Sequence, residues 1–414
     1  MKNIIRILKS THSDVIKYLV TAALVRFSMF GLVMVIFNLY LLRLNYDTRF
    51  IGIANGCTPL AFALTGILAG ILGKNWGSKK TMTLGVICFA FSISLLPATQ
   101  LLSAENAKIA IIFLRFLTGS GFAFFHVTLE PYLVSATTKK ERVLIFSVSA
   151  GTGPAAAFLG SLLAGFMPAM IANHLGTDIS NPLPFAYLLC FSGLVVLLAI
   201  PLIGTTQERL KPTKTNRTKS QKPAVNPILL VIIFLGLSLS LRSAGESVVD
   251  SFFNVYLELV LNEKPWRIGL IMAAGQLLAL PASLFAHNLA AKTGKLNGTV
   301  IALCCMGTSF FIFISVNHWI ITSIGYALYV SSRSIALALS GVVHMESVPA
   351  KFRSVFSGFL ALIQGIGYGS MSLLGGFLIP QMGFNGLFLI GSVTLLLSAT
   401  IFRIYFATPH KQYE

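Results

Sequence analysis

The chain has 414 residues, of which 55% are hydrophobic and only 11% charged, and its mean hydropathy is +0.80. A soluble domain carries about 25% charged residues, so the composition excludes a soluble enzyme, and the placement of the charges behind the formal net charge of +18 excludes a nucleic-acid-binding module. The five cysteines form no disulfide framework or C-x-x-C pattern and the histidines show no metal-ligand spacing, so no metal and no cofactor is implied.

Twelve apolar runs follow in chain order, near 16–42, 50–73, 79–101, 108–134, 143–170, 183–204, 227–261, 267–290, 297–316, 318–346, 352–379 and 384–407. Each is long enough for a spanning helix of roughly 17–25 residues or somewhat more. In lipid only helices satisfy their own backbone within such segments, and the alternation of a membrane barrel is absent. The expected fold class is an all-α membrane protein with twelve transmembrane helices. The first run has no small-residue cleavage site and continues into a span, so it reads as a retained helix rather than a signal peptide.

An even number of spans puts both termini on one face, and the basic residues gather there. They are Lys2, Arg6, Lys9 and Lys17; Lys74, Lys79 and Lys80; Lys139, Lys140 and Arg142; Arg209 to Lys222; Lys292 and Lys295; Lys351 and Arg353; Arg403 and Lys411. The opposite loops hold Arg43, Arg49, Lys108, Lys264 and Arg267. This bias places both termini in the cytoplasm, and the expected location is a bacterial inner membrane, multi-pass.

Polar residues inside the runs are the candidates for function, because a charge near the bilayer centre costs at least roughly 2.5–3.5 kcal/mol. The first run carries Arg26 and Asn38, and the fourth carries Arg115, His126 and Glu130. The seventh carries Arg242, Glu246, Asp250 and Asn254, four apart and therefore on one helix face. The tenth carries Arg333, Ser340 and His344 on one face, with Glu346 near its end. Arg242 and Glu246 can pair within one turn. Asp250 has no basic residue within a turn, so it is either a proton site or a partner across the bundle. His126 can be a packing residue or a proton carrier, since an imidazole titrates near pH ~6.5.

Between the sixth and seventh runs, residues 205–226 are polar, basic and proline-containing, and they read as a linker between halves 1–204 and 227–414. The halves repeat each other. "RFSMFGLVMVIFNLYL" from Arg26 aligns without a gap on "RSAGESVVDSFFNVYL" from Arg242, and "RFLTGSGFAFFHVTLEP" from Arg115 matches "RSIALALSGVVHMESVP" from Arg333 in its arginine, histidine and proline.

With two six-helix halves and this linker, the chain resembles the major facilitator superfamily over nearly its full length. The resemblance implies two pseudo-symmetric six-helix bundles, with the first, fourth, seventh and tenth helices lining a central cavity. "GILGKNWGSKK" is similar to the family's gating loop at Gly70, Gly77 and Lys79, with Lys74 and Asn75 at its aspartate-arginine positions. "HNLAAKTGKL" repeats it at Lys292, Gly294 and Lys295, with Ala291 at the acidic position. Arg115, Gly119 and Gly121 match an arginine-glycine motif associated with proton coupling. Gly153-Pro154 resembles the antiporters' glycine-proline motif, with Ala157 and Phe158 where its glycine pair would follow. Close helix packing is the alternative use of these small residues.

The expected function is secondary active transport by alternating access. Four arginines against the cavity acids Glu130, Glu246 and Asp250 favour a small anionic or zwitterionic organic substrate, because a guanidinium offers a planar fork to carboxylate or phosphate. Arg26, Asn38, Arg115, Arg242, Asn254 and Arg333 are the substrate-binding candidates. Asp250, Glu246, His126 and Glu130 are the proton-coupling candidates, with sodium as the other ion. The expected partners are the substrate, the coupling ion and the lipid bilayer, with no nucleic acid, and the chain is expected to act as a monomer. The alternatives are a multidrug efflux antiporter, for which Phe30, Phe122, Phe252 and Phe253 speak, and a non-transporting receptor or scaffold on the same fold. With no nucleophile-base pair and no phosphate loop, an enzyme is not expected.

Overall fold

The computed structural model describes residues 13–137, 139–207, 225–347 and 353–407. Most of the 205–226 linker lies outside the described residues, as do the terminal basic segments. The described residues are helical, with no strand among them. The helices are α1 (Ser13–Arg43), α2 (Thr48–Trp76), α3 (Ser78–Leu101, its last turn 3₁₀), α4 (Ala104–Ala136), α5 (Lys139–Leu175), α6 (Leu183–Gly204), α7 (Val225–Leu259), α8 (Pro265–Thr293), α9 (Lys295–Ser315), α10 (Trp319–Glu346) and α11 (Arg353–Ala407). Their internal prolines, such as Pro59, Pro154 and Pro281, are tolerated where neighbouring helices re-satisfy the freed backbone.

Ten of the described helices are long and apolar enough to cross a membrane, where the sequence gives twelve apolar runs. Two local causes account for the difference. In α7 the side chains of residues 225–232 lie outside the described residues, which leaves its apolar stretch out of the ten. The last two runs are joined in α11, whose helical backbone is interrupted at Gly383 (φ 71, ψ 177).

The described residues group into two compact units. Unit one holds residues up to Asp47, residues from Cys57 to the end of α6, and Lys264–Ala273. Unit two holds Thr48–Gly56, α7 through Glu263, and residues from Ala274 onward. Each half of the sequence thus lends the first turns of one helix to the unit built mainly from the other half.

Unit one is closely packed because small residues meet backbone. A Cβ on Gly119 of α4 would lie 2.1 Å from the Thr58 carbonyl oxygen of α2, and one on Gly121 would lie 2.6 Å from the Phe89 nitrogen of α3. Both glycines of the arginine-glycine motif therefore serve helix packing. In unit two, α7 is held to α11 by hydroxyls: Ser247 Oγ donates to the Tyr368 carbonyl (2.7 Å), and Ser372 Oγ lies 2.8 Å from Ser247 Oγ and 2.5 Å from Ser251 Oγ. An aromatic group of Tyr256, Phe310, Phe313 and Phe388 fills the core behind it.

The turns α2–α3 and α8–α9 repeat one geometry, with Gly77 at φ 92, ψ 153 and Gly294 at φ 82, ψ 157. Side chains rarely adopt such a backbone, so these two positions require glycine. Lys79 follows the first turn and caps α6, its Nζ donating to the carbonyls of Gly204 (2.6 Å) and Thr206 (2.7 Å). The same end of unit one is tied by Asp14, which accepts from the Gln207 N–H (3.2 Å), and by Thr206, which donates to the Tyr18 hydroxyl (3.0 Å).

Candidate functional site

The polar face of α7 meets α10 and α11 inside unit two. Arg242 Nε donates to Glu246 Oε1 at 2.7 Å, one turn along α7, and Arg242 Nη1 donates to Ser340 Oγ of α10 at 2.9 Å. Arg333 of α10 faces both acids: Nη1 donates to Asp250 Oδ1 (3.0 Å) and Oδ2 (2.8 Å), and Nη2 lies 3.4 Å from Glu246 Oε2. The Tyr368 hydroxyl is a further hydrogen-bond partner of Asp250. Tyr329 closes the group, its hydroxyl donating to the Glu246 carbonyl at 3.4 Å. Two arginines and two acids form one charge-balanced network, which is the condition under which buried charges are tolerated in a low-dielectric medium.

Burial divides this network. Arg242 and Glu246 are buried and saturated by each other, Ser340 and Arg333. The Arg333 side chain keeps 25% of its exposure and Tyr368 is half-buried, while the Asp250 side chain keeps 9%. Arg333 also has one buried donor, Nε, without an acceptor. The open end of the network is therefore the Arg333–Asp250 pair.

Unit one has the repeat-related arginines in a different setting. Arg26 of α1 is half-buried and donates from Nη1 to the Ser149 carbonyl and, at 2.6 Å, to Thr152 Oγ1 of α5. Ser149 lies beside the carbonyl whose helical partner Pro154 removes. Arg115 of α4 is 5% exposed, with its guanidinium 4.2 Å from the Phe37 ring centroid. Where the seventh run has Glu246 and Asp250, the first has Phe30 and Met34, so the first run brings no carboxylate at these two positions.

The remaining candidates sort by exposure. Asn38 and Asn254 are each 2% exposed and sit among helix contacts, with Asn254 Oδ1 accepting from the Val255 N–H. His126 is half-buried against Phe122 (5.4 Å between centroids) and Phe62 (6.2 Å). Glu130 lies in α4, and its side chain is outside the described residues. Among the gating-loop residues, Gly77, Gly294 and Lys79 hold the turns described above, Lys292 is exposed, and Gly70 stands in open space. Phe252 and Phe253 are core residues, Phe253 stacked on Tyr326 at 4.5 Å, which removes them from any substrate-facing surface.

Sequence reasoning did not find Phe62, Thr152, Tyr329 or Tyr368. Tyrosines and phenylalanines in apolar runs carry no signal that separates a site from a core. The pairing of Arg333 with Asp250, 83 residues apart, was open as one of two alternatives because α-helical spacing speaks only within one helix.

Solved structures share this fold. A nucleoside transporter, NupG, superposes with a TM-score of 0.75 at 13% identity, covering 95% of this chain and 100% of that one. The xylose transporter XylE from E. coli, in an inward-open conformation, gives 0.74 at 14% identity with 94% and 96% covered. A bacterial homologue of the human lysosomal transporter Spinster gives 0.72 at 13% identity with 95% and 96% covered. The family profile described as the Major Facilitator Superfamily matches residues 19–369, most of the chain, and the protein belongs to that superfamily of multi-pass membrane transporters.

Proposed function

We propose that the protein is a proton-coupled secondary transporter of a small organic anion or zwitterion, working by alternating access as the two bundles rock about a site near the bilayer midplane. The observation that carries this reading is the half-open Arg333–Asp250 pair, closed on its buried side by Glu246 and Arg242. A carboxylate or phosphate on the solute competes with Asp250 for the Arg333 fork, and Asp250, once displaced, takes up a proton that neutralises it. Release of the solute on the other face lets Arg333 recover Asp250 and expel the proton. In this reading the chain acts as a monomer in the inner membrane with both termini cytoplasmic, an orientation that its distribution of lysine and arginine supports. Solved structures with this fold include a nucleoside transporter and a xylose transporter, so small polar solutes fit the architecture.

The test is transport by proteoliposomes. The Asp250→Asn protein is expected to lose accumulation driven by a pH gradient while retaining counterflow exchange, because exchange needs no net proton movement. Full gradient-driven accumulation by that variant refutes the coupling assignment, and accumulation driven by a sodium gradient alone replaces the proton.

A further inference from the structure

Unit one contains a second feature that the charge network does not use. Phe30 of α1, Phe62 of α2, and Phe122 and His126 of α4 form one aromatic group. Phe122 lies at its centre, 5.7 Å from Phe30 in an edge-on arrangement, 5.7 Å from Phe62 and 5.4 Å from His126. None of the four is a core residue: Phe30 is 37% exposed and the other three are half-buried. The repeat-related positions of unit two differ, since Glu246, Ser340 and His344 stand there in place of Phe30, Phe122 and His126.

These rings do not belong to the lipid-facing surface. Along the middle of α2 the strongly exposed apolar residues are Leu64, Ile67, Leu68 and Ile71, which share one face. At 3.6 residues per turn, Phe62 falls on the opposite face. On α4 the exposed stripe is Ile109, Phe113 and Phe116; Phe122 lies about 145° round the helix from it and His126 about 105°. Phe30 is aimed by its neighbour: Gly31 packs on Gly160 of α5, where an added Cβ would come within 2.6 Å of the Gly160 Cα. That backbone contact fixes which side of α1 faces α5. The π-helical segment Phe27–Val33 spans the same point, and π segments recur at functional sites. Arg26 stands one turn before Phe30 and brings a positive charge to the same stretch of helix.

We propose that Phe30, Phe62, Phe122 and His126 form a subsite for a planar unsaturated ring, with Arg26 attracting an acidic group carried on that ring. The faces and edges of three phenyl rings offer a further ring both edge-to-face and offset-stacked seats, the arrangements aromatic pairs prefer. A saturated ring of similar size lacks that complementarity. The inference rests on the transport reading, in that the solute moved is then an aromatic or heteroaromatic acid.

Equilibrium binding to the purified full-length chain tests it without transport. Benzoate and cyclohexanecarboxylate, equal in charge and close in size, are the probes, with uncharged methyl benzoate as a third. Benzoate is expected to bind roughly threefold to tenfold more tightly than cyclohexanecarboxylate, and methyl benzoate more weakly than benzoate. Phe122→Leu and Phe62→Leu are expected to abolish the preference for the unsaturated ring, and Phe113→Leu on the lipid face to leave it intact. Equal affinities for the two acids in the unmodified protein, absence of binding by both, or a preference that survives both substitutions each overturn the subsite, and the first two comparisons need no variant to fold. Benzoate binding without gradient-driven transport of any solute removes the transport reading and leaves the subsite. Gradient-driven transport without the ring preference does the reverse.

Discussion

Replacing Asp250 by asparagine takes one negative charge from a network that balances two arginines with two acids. Opposite charges about 4 Å apart attract by about 4 kcal/mol at an effective dielectric near 20, and breaking a buried pair by removing one partner costs about 3–5 kcal/mol. Two features lower that figure here. The Arg333 side chain is 25% exposed, and Glu246 remains 3.4 Å from its Nη2. A loss of about 2 kcal/mol is expected for Asp250→Asn, and a similar loss for Arg333→Gln, which leaves two acids facing Arg242 alone. In the double variant the Arg242–Glu246 pair at 2.7 Å is intact and the charge is balanced again. Its cost is therefore expected to fall short of the sum by about 1–2 kcal/mol. Unfolding of the detergent-purified variants, followed as a four-member cycle, measures this. If the two single effects add to within about 0.5 kcal/mol, the four side chains do not act as a unit and the reasoning fails.

Three further outcomes follow from the packing, each read as a shift in the unfolding transition of the purified protein. Lys79→Met removes the cap on the α6 carbonyls of Gly204 and Thr206 and is expected to cost about 1 kcal/mol, whereas the exposed Lys292→Met is expected to change stability by less than about 0.5 kcal/mol. Ser372→Ala interrupts the hydroxyl chain between Ser251 and Ser247 and is expected to cost about 1 kcal/mol, because Ser247 keeps the Tyr368 carbonyl as its acceptor. Gly77→Ala places a side chain at φ 92 and is expected to cost about 1–2 kcal/mol. Gly70→Ala, where a Cβ meets nothing within 4 Å, is the matched control and is expected to be neutral or slightly stabilising.

The helices were legible because lipid leaves the backbone no other choice, and the residues worth watching were legible because charge is costly there. Arg242 and Glu246 share one face at a spacing of four, and they do pair. What spacing does not carry is contact between helices. Nothing within α7 shows that Asp250 meets Arg333, or that Ser340, one face of α10 with Arg333, is bonded by Arg242 instead. Exposure is equally hidden: Phe30 and Phe253 look alike in the sequence, yet one is 37% exposed and the other 1%. The lysines and glycines around Gly77 could be read as a loop pattern, but the use of Lys79 as a cap depends on where α6 ends in space.

The π-helical segment Phe27–Val33 in α1 changes what the internal repeat means. On paper the stretch from Arg26 aligns on the stretch from Arg242 with no gap, so exchanging them looks like a substitution without insertion. In space α7 is α-helical from Val225 to Leu259, whereas α1 spends seven residues in a wider coil whose hydrogen bonds reach one residue further. Everything after Val33 therefore lags in rotational phase behind its counterpart in α7. Phe37 ends up beneath the Arg115 guanidinium, and its letter-matched partner Phe253 stacks instead on Tyr326. A chimera carrying the α7 stretch in α1 as a regular α-helix would need one residue fewer to bring Asn38 and Tyr40 back to their present neighbours, so a single-residue deletion is the repair that such a chimera should select.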